Sequence, residues 1–197
     1  RYTLQAKIQS GKIFKIITIP KKFPHNVLKK KKLSIGFDPK LHTELMISRL
    51  FKKTNCKLIS INENLINKIW KRSNINKSNK FYKLRDVDSG RSQKNKILTL
   101  SRMLKKNKVD FQFISAPENA AWLLNLRGAD SEFTPIPNCY LIINSSKKVY
   151  MFCDLKKISK KLKRSLGKNI MIIDIKNIEK FISKINDKIF QIDNSSC

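Results

Sequence analysis

Only two of the 197 residues are histidine and only 14 are acidic, which limits the chemistry available to the chain. His25 lies in a Pro- and Lys-rich loop, and His42 opens an exposed helical stretch. Neither has Cys, Asp or Glu at metal-ligand spacing; His42 and Glu44 are two apart and point differently on a helix. Glycine is scarce, with five in all, and no GxSxG, Walker loop or GxGxxG occurs. Asp86 and Asp88 in DVDSG lack the remaining oxygen ligands and the closing Glu of a calcium loop, so they read as a helix-start turn. The four cysteines, Cys56, Cys139, Cys153 and Cys197, contain no CxxC and no pairing with His, which argues against zinc. Cys139 and Cys153 fall in strand-like runs, where a free thiol acts as a small hydrophobe. No run approaches a membrane span and no N-terminal signal pattern is present, which together predict a reduced, cytoplasmic chain without a membrane partner.

What the sequence has in excess is lysine. Lys and Arg number 43, for a net charge of +29. Such a charge suggests a nucleic-acid or anionic-membrane binder. Against that, only eight of the basic residues are Arg, and the lysines are spread along nearly the whole length. Lys, Asn, Ile and Phe are abundant together, as AT-rich codons produce. Most of the charge is read as codon bias on solvated faces, and nucleic acid as the less favoured partner. Phe81, Tyr82, Phe111, Phe113 and Phe133 could stack bases, but no glycine-aromatic RNP pattern surrounds them, and core packing is the better reading.

The hydrophobic fraction of 41% is enough to bury a core. Residues 2–10 predict a helix stopped by Gly11. IFKIITI (13–19), LSIGF (33–37) and CKLISI (56–61) predict strands. Residues 40–52 and 63–70 predict helices. Residues 71–88 are polar and basic without periodicity, and are expected to be a linker. Three strands would leave a sheet edge open, so the first domain, 1–70, is expected to lack its N-terminal part. Residues 89–108 predict a long helix capped by Ser89, with Ile97, Leu98, Leu100, Met103 and Leu104 toward the core. Further strands are expected at 109–115, 138–144, 147–154, 170–175 and 188–192, with a hairpin turn at Ser145-Ser146. Helices are expected at 116–126, 155–166 and 177–186. The second domain, 89–197, is thus α/β with a mixed sheet, and its end at Cys197 leaves room for it to be incomplete.

Within it, 116–130, APENAAWLLNLRGAD, is the least lysine-rich stretch. Pro117 and Glu118 suit a first helical turn, and Gly128 suits a stop. The helix hands Arg127, Gly128 and Asp130 to a loop containing Pro135 and Pro137. A packed helix with a glycine cap and a surface ion pair is the plain reading; a functional contact is the sharper one.

WLLNLRGAD resembles the WLxNLRGxD stretch of the long-type Xaa-Pro aminopeptidases. ENLINKIW (63–70) resembles that family's ENLVDxIW segment, and RYTLQA (1–6) resembles the RYxxQA portion of its DGRYxxQA segment. The three lie in collinear order. The resemblance implies two creatinase-type N-terminal domains with mixed sheets flanked by helices, the first one truncated. It implies a parent metalloaminopeptidase acting on peptides with proline second, in which a further pita-bread domain holds two divalent metals, usually manganese. This chain would then hold no catalytic residue and no metal, would be inactive alone, would pack against its own catalytic domain, and would belong to a homodimer. Arg1 matches the Arg of DGRY and is expected to contact substrate. Arg127 and Asp130 are expected to face the interdomain or active-site side. Trp70 and Trp122 are expected to be core anchors. The alternative is a stand-alone creatinase-like binding module, with nucleic acid as a ligand for its basic surface.

Overall fold

The computed structural model describes residues 2–70 and 79–195. Arg1, Cys197 and the part of the expected linker at residues 71–78 lie outside the described residues. The chain divides into two compact units, with the division at Arg72–Ser73.

The first unit holds helix α1 (Tyr2–Ser10), helix α2 (Pro24–Leu28), strand β1 (Ser34–Phe37), helix α3 (Glu44–Phe51), strand β2 (Lys57–Ser60) and helix α4 (Leu65–Ile69). Local chemistry starts the helices: Thr43 accepts from the Met46 N–H at 3.1 Å, and Asn64 accepts from the Ile66 N–H at 2.9 Å. β1 and β2 are parallel, with Ser34 opposite Lys57. The expected strand at 13–19 does not form, and the described sheet here is parallel, not mixed. β-branched composition favours a strand only where a neighbouring ladder exists, and Ile13 and Phe14 remain exposed. Among the described residues of this unit, Ile47 alone is a buried apolar side chain. Trp70, expected in a core, is exposed.

The second unit begins within the expected linker. Strand β3 (Tyr82–Lys83) and helix α5 (Asp86–Ser89) form there, because Phe81 is buried and pins the segment to the core. Helix α6 (Gln93–Lys106) comes next, capped by Ser92 and not by Ser89: the Ser92 hydroxyl accepts from the Asn95 N–H at 3.2 Å. Ile97 and Leu104 on this helix are buried, while Met103 turns to solvent. Strand β4 (Phe111–Ile114), helix α7 (Pro117–Leu124), strand β5 (Leu126–Arg127), strand β6 (Tyr140–Asn144), strand β7 (Val149–Cys153), helix α8 (Lys160–Leu166), strand β8 (Ile170–Asp174), helix α9 (Ile178–Ile182) and strand β9 (Phe190–Gln191) complete it.

Five strands form a mixed sheet in the order β8-β7-β6-β4-β9. β4, β6 and β7 are antiparallel neighbours; β8 on β7 and β9 on β4 are parallel. The β6–β7 turn is organised by Asn144, whose carboxamide oxygen accepts from Ser146 N–H at 3.0 Å and Lys148 N–H at 2.9 Å. One sheet face (Leu141, Ile143, Val149, Met151) packs in the main core with Ile97, Leu104, Leu123, Leu124, Leu162 and Leu166. The opposite face is aromatic: Phe181 of α9 lies 4.6 Å from Tyr150 and 5.2 Å from Phe152, and Phe111 stacks on Phe190 at 5.1 Å. The alternating Phe111 and Phe113 therefore serve packing.

Candidate functional site

Residues 116–138 contain no lysine, in a chain where lysine is frequent elsewhere. α7 starts at Pro117, with Glu118 beside the positive helix end. It ends not at Gly128 but at Asn125, which adopts a left-handed conformation (φ 52°, ψ 34°). Asparagine tolerates that geometry better than other side chains with a Cβ, since its short amide bonds locally.

Asn125 is buried and joins four segments. Its oxygen accepts from Lys96 Nζ at 2.6 Å, and its nitrogen donates to Asp86 Oδ1 and to the Arg91 carbonyl, each at 3.1 Å. Lys96 also donates to the Trp122 carbonyl at 2.7 Å and sits 4.5 Å from the indole centroid. Only 3% of Lys96 is exposed. Trp122, expected as a core anchor, is 55% exposed: its ring covers the buried ammonium as a cation–π lid.

Burial pushes the Lys96 pKa below the ordinary lysine value, and the nearby Arg127 and Arg91 charges push the same way, with Asp86 opposing. The unfolded chain then binds this proton more tightly than the folded one, so stability rises with pH between the two pKa values. The penalty is complete below the lowered pKa and gone above the ordinary lysine range. Lys96→Met removes the titration but leaves the Asn125 carboxamide oxygen unpaired and the Trp122 carbonyl with only its 3.4 Å bond from the Asn125 N–H, a loss of about 1–3 kcal/mol near neutral pH. In urea melts at stepped alkaline pH, the advantage of the parent over Lys96→Met is expected to grow as pH rises. A difference that shrinks would contradict the assignment.

Arg127 lies on β5, which pairs antiparallel with β3 (Tyr82 opposite Arg127). Its guanidinium donates to the Leu126 carbonyl at 2.8 Å and the Ala121 carbonyl at 3.3 Å, so it closes the end of α7. Gly128 is next, with no room for a side chain. A Cβ there would lie 2.9 Å from the Phe81 ring and 3.0 Å from Pro137 Cα. Asp130 turns inward, with 1% of its side chain exposed, and forms an ion pair with Lys157. Its other oxygen accepts from the Asn138 N–H at 2.6 Å. Lys157 in turn lies 5.6 Å from the Phe81 ring centroid.

Arg127 and Asp130 thus serve separate partners, and among the described residues no bond joins them. Arg1 lies outside the described residues. Lys96, Asn125, Asp86 and Lys157 complete the cluster. The sequence signal for Asn125 is an Asn at the end of an apolar helix, a left-handed candidate; Lys96 and Lys157 carry none, being two among many lysines. Next to this cluster, Cys139 and Cys153 are buried thiols whose pKa burial raises, Cys153 to about 12, so neither is a thiolate near neutrality. His42 Nδ1 lies 3.1 Å from the Asp38 carbonyl oxygen, and His25 stacks on Phe23 at 5.6 Å. Among the described residues no three His, Cys, Asp or Glu side chains converge as a metal site. No described helix is long and apolar enough to cross a membrane.

The creatinase/prolidase N-terminal domain family matches residues 72–197. The chain is 30% identical over 142 residues to a probable Xaa-Pro aminopeptidase P of Paracoccidioides lutzii, covering 70% of this chain and 23% of that protein. It is 31% identical over 104 residues to Xaa-Pro aminopeptidase 1 of Dictyostelium discoideum, covering 53% of this chain and 16% of that one. The crystal structure of X-prolyl aminopeptidase from Caenorhabditis elegans, described as a cytosolic enzyme with a di-nuclear active site, superposes with a TM-score of 0.72 at 25% identity. That match covers 88% of this chain and 28% of the nematode chain. The chain spans about a quarter of the length of the relatives it matches. With the WLLNLRGAD stretch packed beside a mixed α/β sheet and this match over 72–197, the chain belongs to the creatinase/prolidase N-terminal domain family and is homologous to the Xaa-Pro aminopeptidases P.

Proposed function

We propose that this chain is the non-catalytic N-terminal region of a metal-dependent Xaa-Pro aminopeptidase, which releases the first residue from peptides with proline second. The observation that carries this reading is the shared fold with the nematode X-prolyl aminopeptidase over 88% of the chain. In this reading residues 1–70 are the later part of a first creatinase-like domain, and the second domain takes in Phe81, β3 and α5 along with the stretch from residue 89 onward. The nearly coreless first unit is consistent with a truncated domain.

The nematode enzyme is described as di-nuclear. The described residues here do not fit such a centre: Asp130, a buried carboxylate, is already engaged by Lys157 and the Asn138 N–H. Two divalent ions, manganese in our reading, belong to a further domain, and no step of hydrolysis runs through the described residues. Their part is to hold shape. Asn125, Arg127 and Asp130 fix the path of 125–138, so that this loop presents a constant face to the interdomain or active-site side. Arg1 is the substrate-side contact, and the parent enzyme is a cytoplasmic homodimer.

The test is manganese-dependent release of the first residue from an Xaa-Pro peptide. The 197-residue chain alone is expected to give none, and clear turnover by it would contradict the proposal. A second reading, a nucleic-acid-binding module, is favoured only by the net charge of +29. It requires duplex binding that weakens steeply with salt, and weak binding without that slope removes it.

A further inference from the structure

The five-stranded sheet ends in two unlike edges. β9 is a two-residue strand, Phe190–Gln191, short enough to discourage further pairing. β8 is five residues, Ile-Met-Ile-Ile-Asp, with no Lys, no Pro and no bulge to protect it. Val149 N–H donates to the Asn169 carbonyl at 2.9 Å, and Val149 lies opposite Ile170. In a parallel ladder this register engages Asn169, Met171 and Ile173 with β7. The N–H and C=O of Ile172 then point away from the sheet, and among the described residues no strand pairs with that edge.

Beside the edge runs a groove of about 730 Å³ whose walls include Met171 and Ile172 of β8, Lys160, Lys163 and Arg164 of α8, and Lys168. Met171 is 57% exposed, and the four basic side chains have no carboxylate partner among the described residues. Lys160, Lys163 and Arg164 stand on the helix wall, across from the strand, and Lys168 lies in the turn that joins the two. They are placed to face an occupant of the groove, which edge-guarding lysines on β8 itself would not do.

We infer that the outer edge of β8 is a docking site for an extended acidic peptide that adds to the sheet as a sixth strand. The open backbone groups supply the ladder, and charge complementarity with the α8 wall selects the sequence. An added strand alternates its side chains between the two sheet faces. Those on the side of Ile170 and Ile172 meet the α8 cations and are acidic; those on the side of Met171 are apolar. A nucleic acid is the poorer fit, since it uses neither the backbone ladder nor an apolar wall.

The test is fluorescence anisotropy with a labelled peptide of about ten residues of alternating Glu and Val, on the whole chain. Lys163→Glu with Arg164→Glu is expected to weaken binding about tenfold or more. Lys105→Glu with Lys106→Glu, the same charge change at the exposed end of α6, is expected to leave it within about threefold. N-methylation of alternate peptide residues is expected to abolish binding, because it removes the ladder donors. Equal losses from both double variants, or an N-methylated peptide that binds as well as the parent, would reduce the effect to general attraction by a +29 chain and overturn the proposal. Absence of binding, or duplex DNA displacing the peptide and losing affinity with the same α8 variant, would overturn it as well.

Discussion

Asp130→Asn is expected to destabilise the chain by about 3 kcal/mol, because it breaks a buried ion pair from one side. The Asp130 carboxylate is buried against Lys157 and the Asn138 N–H. An amide there would turn either its NH2 toward the ammonium or its oxygen away from the Asn138 N–H. The Lys157 charge would remain largely buried without compensation. The loss is expected in urea unfolding detected by Trp122 fluorescence. A companion variant separates pairing from shape. Asp130→Asn with Lys157→Met removes the stranded charge and is expected to recover a good part of the loss, since apolar replacement of a buried pair is often close to neutral. A single-variant loss below about 0.5 kcal/mol would mean that the pair is effectively solvated.

Gly128→Ala is expected to cost about 2 kcal/mol, by overpacking and not by backbone strain. The added methyl would meet the Phe81 ring at 2.9 Å and Pro137 Cα at 3.0 Å. Phe81 is buried and also carries Lys157 over its ring, so it cannot swing aside without disturbing the Asp130 pair. Phe81→Leu with Gly128→Ala is expected to cost less than the sum of the two single changes, as residues in contact do not add. Additive losses would show that the ring and the glycine do not share one space.

The residues of the 116–138 stretch mark how far sequence reasoning reaches. α7, the strands β4, β6, β7 and β8, and the β6–β7 turn are legible from apolar content, Pro117 and the Ser145-Ser146 break, all local signals. The failures are non-local. IFKIITI has the composition of a strand but no ladder partner. KRSNINKSNK gives no hint that the segment after it is pinned by Phe81, because one buried ring outweighs its polar neighbours. The helix stop falls at Asn125 because the carboxamide has three partners waiting, while Gly128 is required for clearance. Trp122 reads as core from its size, whereas its ring lies over a lysine drawn inward by two carbonyl-type acceptors. Lys96 and Lys157 are invisible among so many solvated lysines. Only the fold identifies them as the two placed against the WLLNLRGAD cluster.

This chain is proposed as the N-terminal part of a larger aminopeptidase, and the natural reading frame tests that most directly. The frame should be sequenced on both sides of the segment and the mass of the native product measured. The expected result is a frame that runs past Cys197 into a further domain bearing spaced Asp, Asp, His, Glu and Glu, in a product well above the 23.0 kDa of this chain. A native product of that smaller mass, ending at Cys197, would contradict it.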